Sequence, residues 1–110
     1  MQPVRLLLIG AGVIGRTHID RIGRDPHLAL AGIAEPSAAG KALAEQLGVP
    51  WAASYLELLE RTHPQGAIVA TPNANHVGVA IDCLERGVAA LVEKPVADTV
   101  AEALALVQAQ

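Results

Sequence analysis

The chain has 110 residues, a formal charge of -3 and a single cysteine, and 52% of its residues are hydrophobic while 2% are aromatic. This length fits one domain built on one sheet, and the residues include no basic cluster for nucleic acid or an anionic membrane. Because the sequence has no apolar run near the ~18 residues of a membrane span and no signal peptide, we expect a cytoplasmic protein.

The first predicted strand leads directly into a glycine-rich turn. Residues 4–9 are an apolar run, and a helix predicted over 13–24 opens within the stretch Gly10-Ala11-Gly12-Val13-Ile14-Gly15. In this G-x-G-x-x-G pattern the first glycine allows a sharp turn, the second lets a diphosphate approach the backbone, and the third lets the helix pack on the strand. The N–H groups at the start of the helix would face that diphosphate.

An acidic residue follows the second predicted strand at the spacing that this pattern requires. The apolar run over 28–34 ends in Glu35, about 20 residues past the last glycine. A carboxylate there can accept hydrogen bonds from both ribose hydroxyls of an adenosine. A 2′-phosphate would remove one hydroxyl and add negative charge, and Lys41 is the only cation close by, so we predict that NAD is preferred over NADP. The alternative is a glycine-rich turn with Glu35 as a solvated surface charge.

The second helix, a short strand and a third helix come next. Ser37 can cap a helix that Gly48 ends in a left-handed conformation. Its inner side is predicted to carry Ala38, Ala42, Leu43 and Leu47. Residues 51–53 form a short strand, and the serine and glutamate spacing of Ser54 and Glu57 predicts a capping box for a helix that ends by residue 62.

A fourth strand over 66–71 is followed by a polar loop and a helix over 76–86. That helix ends at Gly87, and its core-facing residues are predicted to be Val77, Ala80, Ile81 and Leu84. Cys83 in its apolar face is interpreted as a small buried hydrophobic residue and not as a nucleophile.

The polar loop reads Thr71-Pro72-Asn73-Ala74-Asn75-His76. A hydride donor needs its nicotinamide held flat over a substrate, and these small and polar groups would line that end of the cleft. The alternative is an ordinary helix entry with a solvated histidine.

A fifth strand over 88–92 ends in Glu93-Lys94-Pro95, and Thr99 with Glu102 fits a capping box for a helix that continues to residue 110. Glu93 can accept from the nicotinamide-side ribose or carboxamide. Lys94, as a cation beside a hydroxyl, would stabilise charge that develops on oxygen as hydride moves. The alternative is a solvated pair at a strand end.

This alternation predicts an α/β fold with a doubly wound parallel sheet, strand order 3-2-1-4-5 and helices on both faces. Ligands of such sheets bind beyond the carboxyl ends of the strands, where the order reverses. All the candidate binding residues follow a strand end, as this rule requires. No metal site is expected.

At these places the chain resembles the Gfo/Idh/MocA family of NAD(P)-dependent oxidoreductases, over essentially all of its length. The marks of the resemblance are the glycine pattern followed by His18, the stretch Ala70-Thr71-Pro72-Asn73 with His76 three residues on, and Glu93-Lys94-Pro95. The resemblance implies that residues 1–110 are an NAD(P)-binding Rossmann domain. It also implies a larger α/β substrate domain, which is expected to be absent from this chain. By itself, His18 is interpreted as packing or capping.

The resemblance implies hydride transfer to or from a sugar, an inositol or a related polyol, with Lys94 near the reacting carbon and its acid/base partners in the later domain. The chain alone is therefore expected to bind a dinucleotide without turning over a polyol. We also expect it to form homo-oligomers through an exposed edge beside the fifth strand. A stand-alone NAD(H)-binding module or redox-sensing subunit is the alternative, although such a module would not need the cation of Lys94.

Overall fold

A five-stranded parallel sheet forms the centre of the computed structural model. The structure describes residues 3–10, 13–70 and 76–92, with the backbone alone for 13–16, 76–77 and 92. The strands are β1 (Val4–Ile9), β2 (Leu28–Ala34), β3 (Trp51–Ala52), β4 (Gly66–Val69) and β5 (Ala89–Val92). Their order is β3-β2-β1-β4-β5, and all neighbours pair in parallel. The predicted fold class and strand order are confirmed.

The pairing of β1 with β2 contains one irregularity. Leu6 pairs with Leu30 and Leu7 pairs with Gly32, so that Ala31 is an extra residue in β2. A bulge of this kind shifts the alternation of side chains along the strand that contains it. Leu28 and Ile33 consequently face the same layer of the core although they lie an odd number of residues apart.

Helices cover both faces of the sheet, as predicted. They are α1 (Val13–Arg24), α2 (Ala38–Leu47), α3 (Tyr55–Thr62) and α4 (His76–Glu85). On one face, Ile22 of α1 and Ala44 of α2 belong to the buried cluster around Leu6. On the other face, Leu58 of α3 and Cys83 of α4 belong to the cluster around Leu7. No helix among the described residues is both long enough and apolar enough to cross a bilayer.

Helix α2 has the predicted ends and a different buried side. The Ser37 hydroxyl accepts a hydrogen bond from the Gly40 N–H at 3.1 Å, and Gly48 has a left-handed φ of 72°. Gly40 and Ala44 are buried and Leu43 is half-buried, whereas Ala38, Ala42 and Leu47 are exposed. The prediction for those three was wrong because the apolar pattern gave no weight to Gly40, which has no side chain.

Helix α4 is rotated relative to its predicted core face. Val79 and Cys83 are buried, whereas Ile81 is 50% exposed and Leu84 is 62% exposed. The predicted core role of Ile81 and Leu84 was wrong, Ala80 is half-buried, and the side chain of Val77 lies outside the described residues. Cys83 is fully buried as predicted, and burial raises the pKa of its thiol to about 11. It therefore stays protonated at neutral pH.

Helix α3 begins at the predicted position without the predicted capping box. The Ser54 side chain makes no capping hydrogen bond, and Glu57 instead pairs with Arg61 at 2.9 Å. The Tyr55 hydroxyl donates to the Asp82 carboxylate of α4. This hydrogen bond, together with burial, raises the pKa of Tyr55 to about 12. The hydrogen bond joins α3 to α4 on the face of the sheet that carries the cluster around Leu7.

We expect Leu7→Ala to destabilise the chain strongly, because the leucine is fully buried in the central strand. The loss in free energy of unfolding should be about 2–5 kcal/mol, measured by urea titration. Leu84→Ala removes the same atoms from an exposed position and should change that free energy by less than about 0.5 kcal/mol. Equal losses in the two variants would contradict the observed orientation of α4.

Candidate functional site

The carboxyl ends of β1, β2 and β4 meet at one edge of the sheet and are joined by backbone hydrogen bonds. The Gly10 N–H donates to the Ala34 carbonyl at 2.8 Å, and the Ala70 N–H donates to the Ile9 carbonyl at 2.8 Å. Gly10, Glu35 and Ala70, the first residues after these strands, are thereby brought to the same edge. This is the point between β1 and β4 where the strand order reverses, which is where such sheets bind ligands.

Gly10 has the backbone conformation that the glycine pattern predicts for the first glycine. Gly10 has a φ of 93°, a conformation that L side chains rarely adopt, and α1 begins at Val13. Helix α1 therefore points the unpaired N–H groups of its first turn toward the edge where the strands end. Val13, Ile14 and Gly15 lie in that first turn.

The backbone of Glu35 is held on both sides by residues of β3. Its N–H donates to the Ala52 carbonyl at 3.1 Å, and its own carbonyl accepts from the indole Nε1–H of Trp51 at 2.8 Å. Glu35 is half-buried directly beyond the end of β2. Its side chain therefore starts from a fixed point beside the turn after β1.

The Glu35 carboxylate is held over the first turn of α2. The Ser37 hydroxyl donates to Oε2 of Glu35 at 2.8 Å while it accepts from the Gly40 N–H at 3.1 Å. The positive end of the α2 dipole also favours a carboxylate at this position. The other lone pairs of the carboxylate can accept hydrogen bonds from a diol.

Gly40 provides the space in which the Glu35 side chain lies. A Cβ atom at position 40 would be 2.3 Å from Cγ and 2.7 Å from Cβ of Glu35, closer than real Cβ contacts come. The sequence pattern indicates Ser37 only as a helix cap, and it indicates no role at the site for Gly40 or Trp51. A hydroxyl two residues after the acid was the available signal, since such residues commonly bond to nearby groups.

Lys41 lies on the ring of Trp51. Its Nζ atom is 5.4 Å from the centroid of the indole, and an exposed cation–π contact of this kind contributes about 0.5–1 kcal/mol. The contact draws the ammonium group toward β3. Lys41 is exposed on α2, one residue past Gly40.

The other candidate residues lie wholly or partly outside the described residues. Helix α4 begins at His76, as predicted, but the side chain of His76 lies outside them. His18 is fully buried on α1, in agreement with a packing role. Among residues 3–10, 13–70 and 76–92, no group of three or more His, Cys, Asp or Glu residues could hold a metal ion. The candidates wholly outside the described residues are Gly12, Thr71, Pro72, Asn73, Glu93 and Lys94.

Comparison with protein families identifies one match across nearly the whole chain. Residues 4–110 match the Gfo/Idh/MocA model, described as an oxidoreductase family with an NAD-binding Rossmann fold. The chain is 31% identical over 103 residues to the rhizopine catabolism protein MocA of Rhizobium meliloti, covering 94% of this chain and 32% of that protein. It is 31% identical over 109 residues to inositol 2-dehydrogenase 2 of Paenarthrobacter aurescens, covering 98% and 33%. The chain thus spans about a third of the length of these relatives.

Solved structures show the same fold. A myo-inositol dehydrogenase from Corynebacterium glutamicum has a TM-score of 0.76 at 32% identity, over 97% of this chain and 33% of that one. The WlbA dehydrogenase of Chromobacterium violaceum, solved with NADH and UDP-GlcNAcA, has a TM-score of 0.80 at 24% identity, over 98% and 34%. A biliverdin reductase from Synechocystis solved with NADP+ has a TM-score of 0.76 at 22% identity, over 98% and 35%. At 24% and 22% identity, the last two structures show similarity of fold alone.

We expect Gly40→Ala to destabilise the chain, although alanine is normally the better helix residue. The added Cβ would overlap the root of the Glu35 side chain, and such overpacking costs roughly 1–3 kcal/mol. Gly23→Ala in α1 is the matched control because a Cβ there meets nothing within 4 Å. It should stabilise by about 0.5–1 kcal/mol in urea unfolding. Stabilisation by both substitutions would show that Glu35 does not lie against α2.

Proposed function

Because the chain belongs to the Gfo/Idh/MocA oxidoreductase family, as its NAD-binding Rossmann domain, we propose that it binds NAD(H) in preference to NADP(H). In this proposal the Glu35 carboxylate accepts hydrogen bonds from the 2′- and 3′-hydroxyls of the adenosine ribose. The observation that supports this role is that Glu35 is fixed by hydrogen bonds. Its backbone is hydrogen-bonded to Trp51 and Ala52, and its carboxylate is hydrogen-bonded to Ser37. The residues present fit a diol.

Charge supports the preference for NAD(H). Hydrogen bonds to a charged group contribute roughly 1.5–3 kcal/mol, and a diol offers two of them. A 2′-phosphate offers one fewer hydroxyl and places negative charge against the carboxylate. Lys41 is the nearby cation, and its contact with the Trp51 ring would have to be given up to reach a phosphate.

The rest of the cofactor is assigned to the residues that follow β1, β4 and β5. The diphosphate lies against the turn after β1 and the N–H groups of the first turn of α1, with Gly10, Gly12, Val13, Ile14 and Gly15 as the binding residues. The nicotinamide half lies beyond β4 and β5, and its binding residues are Thr71, Pro72, Asn73, His76, Glu93 and Lys94. The positive φ of Gly10 and the start of α1 at Val13 support the first part. Family resemblance supports the second.

The proposed reaction is hydride transfer between NAD(H) and a sugar, an inositol or a related polyol. NAD(H) when bound accepts or donates the hydride, and Lys94 stabilises the charge that develops on the substrate oxygen. Relatives named as inositol dehydrogenases support this substrate class. Since the chain spans about a third of their length, we assign the remaining acid/base groups and the substrate pocket to a domain outside these 110 residues.

Cellular location and assembly are part of the same proposal. A cytoplasmic location fits a redox enzyme that draws on the NAD(H) pool. Homo-oligomers would form through β5, which pairs only with β4 among the described residues, since open strand edges are prone to pair with other chains.

We expect titration calorimetry to give at least about tenfold tighter binding of NADH than of NADPH, or ~1.4 kcal/mol. Glu35→Ala should narrow this gap, because it removes both the acceptor of the diol and the charge that repels the phosphate. Glu60→Ala, which removes an exposed carboxylate from α3, is the control and should leave the gap unchanged. Equal affinities in the wild type, or tighter NADPH, would contradict the role of Glu35.

The isolated 110-residue chain is expected to bind NADH without oxidising polyols. The reason is that the acid/base group that takes the proton of the polyol hydroxyl is assigned to the other domain, so that Lys94 has to act without it. The measurement is NADH absorbance during incubation with NAD and a panel of inositols and sugars, with a full-length inositol dehydrogenase as positive control. Steady production of NADH by the purified chain would contradict the assignment of these groups to another domain.

A further inference from the structure

Building on the proposed NAD(H) binding, we propose that Ser37 is a positioning residue that sets cofactor specificity through Glu35. Its hydroxyl lies 2.8 Å from Oε2 of Glu35 and 3.1 Å from the Gly40 nitrogen. The hydroxyl therefore caps the helix and also donates a hydrogen bond to the Glu35 carboxylate. The cap is the ordinary role of a serine at this position; the bond to the carboxylate is the additional one.

The two hydrogen bonds of Ser37 give its hydroxyl a single direction. A hydroxyl has one proton and two acceptor lone pairs. The Gly40 N–H is fixed by the helix and occupies a lone pair of Ser37, and the proton of Ser37 is directed at Oε2 of Glu35. The helix backbone thus orients the carboxylate through the serine.

The Glu35 side chain is restricted on its other sides as well. Its Cβ and Cγ atoms lie against Gly40, and its backbone is bonded to Trp51 and Ala52. The hydroxyl of Ser37 restrains the end of the side chain, where rotation would otherwise remain free. A glutamate that is already ordered loses less conformational entropy when a ligand binds.

This restraint favours the diol over the 2′-phosphate. A diol needs the carboxylate where Ser37 holds it. A phosphate needs the carboxylate to turn away, which breaks the bond from Ser37. The competing role for Ser37 is direct: its hydroxyl could leave Glu35 and donate to the phosphate, in which case the serine would favour NADP(H).

The experiment measures the dissociation constants of NADH and NADPH for the full chain and its variants by titration calorimetry. Ser37→Ala should weaken NADH binding by about threefold to tenfold, an effect in the range of one ordinary hydrogen bond. NADPH binding should stay the same or become tighter, because the hydrogen bond that the phosphate has to break is already absent, so that the gap between the two affinities narrows. Ser37→Thr keeps the hydroxyl and should restore the gap.

A merely structural role for Ser37 is tested by a double-mutant cycle. Glu35→Ala removes the group through which the serine acts, so adding Ser37→Ala should weaken NADH binding by less than about twofold further. Ser37→Gly tests the same point if Ser37→Ala unfolds, because glycine is tolerated at a helix cap but has no hydroxyl. Ser54→Ala is the control. The serine before α3 makes no capping hydrogen bond, so this substitution should leave the affinities for NADH and NADPH unchanged.

Three results would overturn the positioning role. The first is an unchanged ratio of NADH to NADPH affinity in Ser37→Ala. The second is an equal loss of NADH affinity from Ser37→Ala in the wild type and in Glu35→Ala. The third is a larger ratio in Ser37→Ala because NADPH binding weakens more than NADH binding. Failure of the wild-type chain to bind NADH would instead overturn the proposed function itself, and it would be seen before any variant is compared.

Discussion

The structure depends on the burial of β1 between two strands and two layers of helices. Leu6, Leu7 and Leu8 of this strand are fully buried, and β1 pairs with β2 on one side and with β4 on the other. Removing these side chains from water favours folding by about 25 cal/mol per Å² of apolar surface. Because β1 is central, its pairing also decides which segments meet at the carboxyl edge, and the candidate site is a consequence of that pairing.

The bulge in β2 connects the packing of the sheet to the site. Ala31 shifts the register so that Ile9 pairs with Ala34, and the residues that follow these two strands, Gly10 and Glu35, therefore lie beside each other. Strand β3 contributes only two residues to the sheet, yet Trp51 and Ala52 both bond to the backbone of Glu35. A short edge strand thus positions the acid that we assign to the ribose.

The first turn of α2 combines helix capping with the placement of a charge. Ser37 satisfies a free N–H of the helix and bonds to the Glu35 carboxylate, while Gly40 leaves room for the same side chain. The capping hydrogen bond and the preference for a negative charge near a helix start act in the same direction here. Local stability and the proposed recognition of the ribose therefore depend on the same turn, and a substitution there is expected to affect both.

Apolar runs, helix caps and turn residues close together in the chain were enough to predict the order of the described elements, their bounds to within about two residues, the parallel sheet and the place of Glu35 directly after β2. Which sides of α2 and α4 are buried depends on how these helices pack in the folded chain, and the apolar pattern did not predict it. Helix α4 is apolar on more than one side, and its packing on β4 and β5 with the bond between Asp82 and Tyr55 selects the side of Cys83. The roles of Gly40 and Trp51 were likewise not visible in the sequence. Gly40 acts through the absence of a side chain, and Trp51 acts through a hydrogen bond to a residue 16 positions away. Neither feature appears in the periodic pattern of hydrophobic residues.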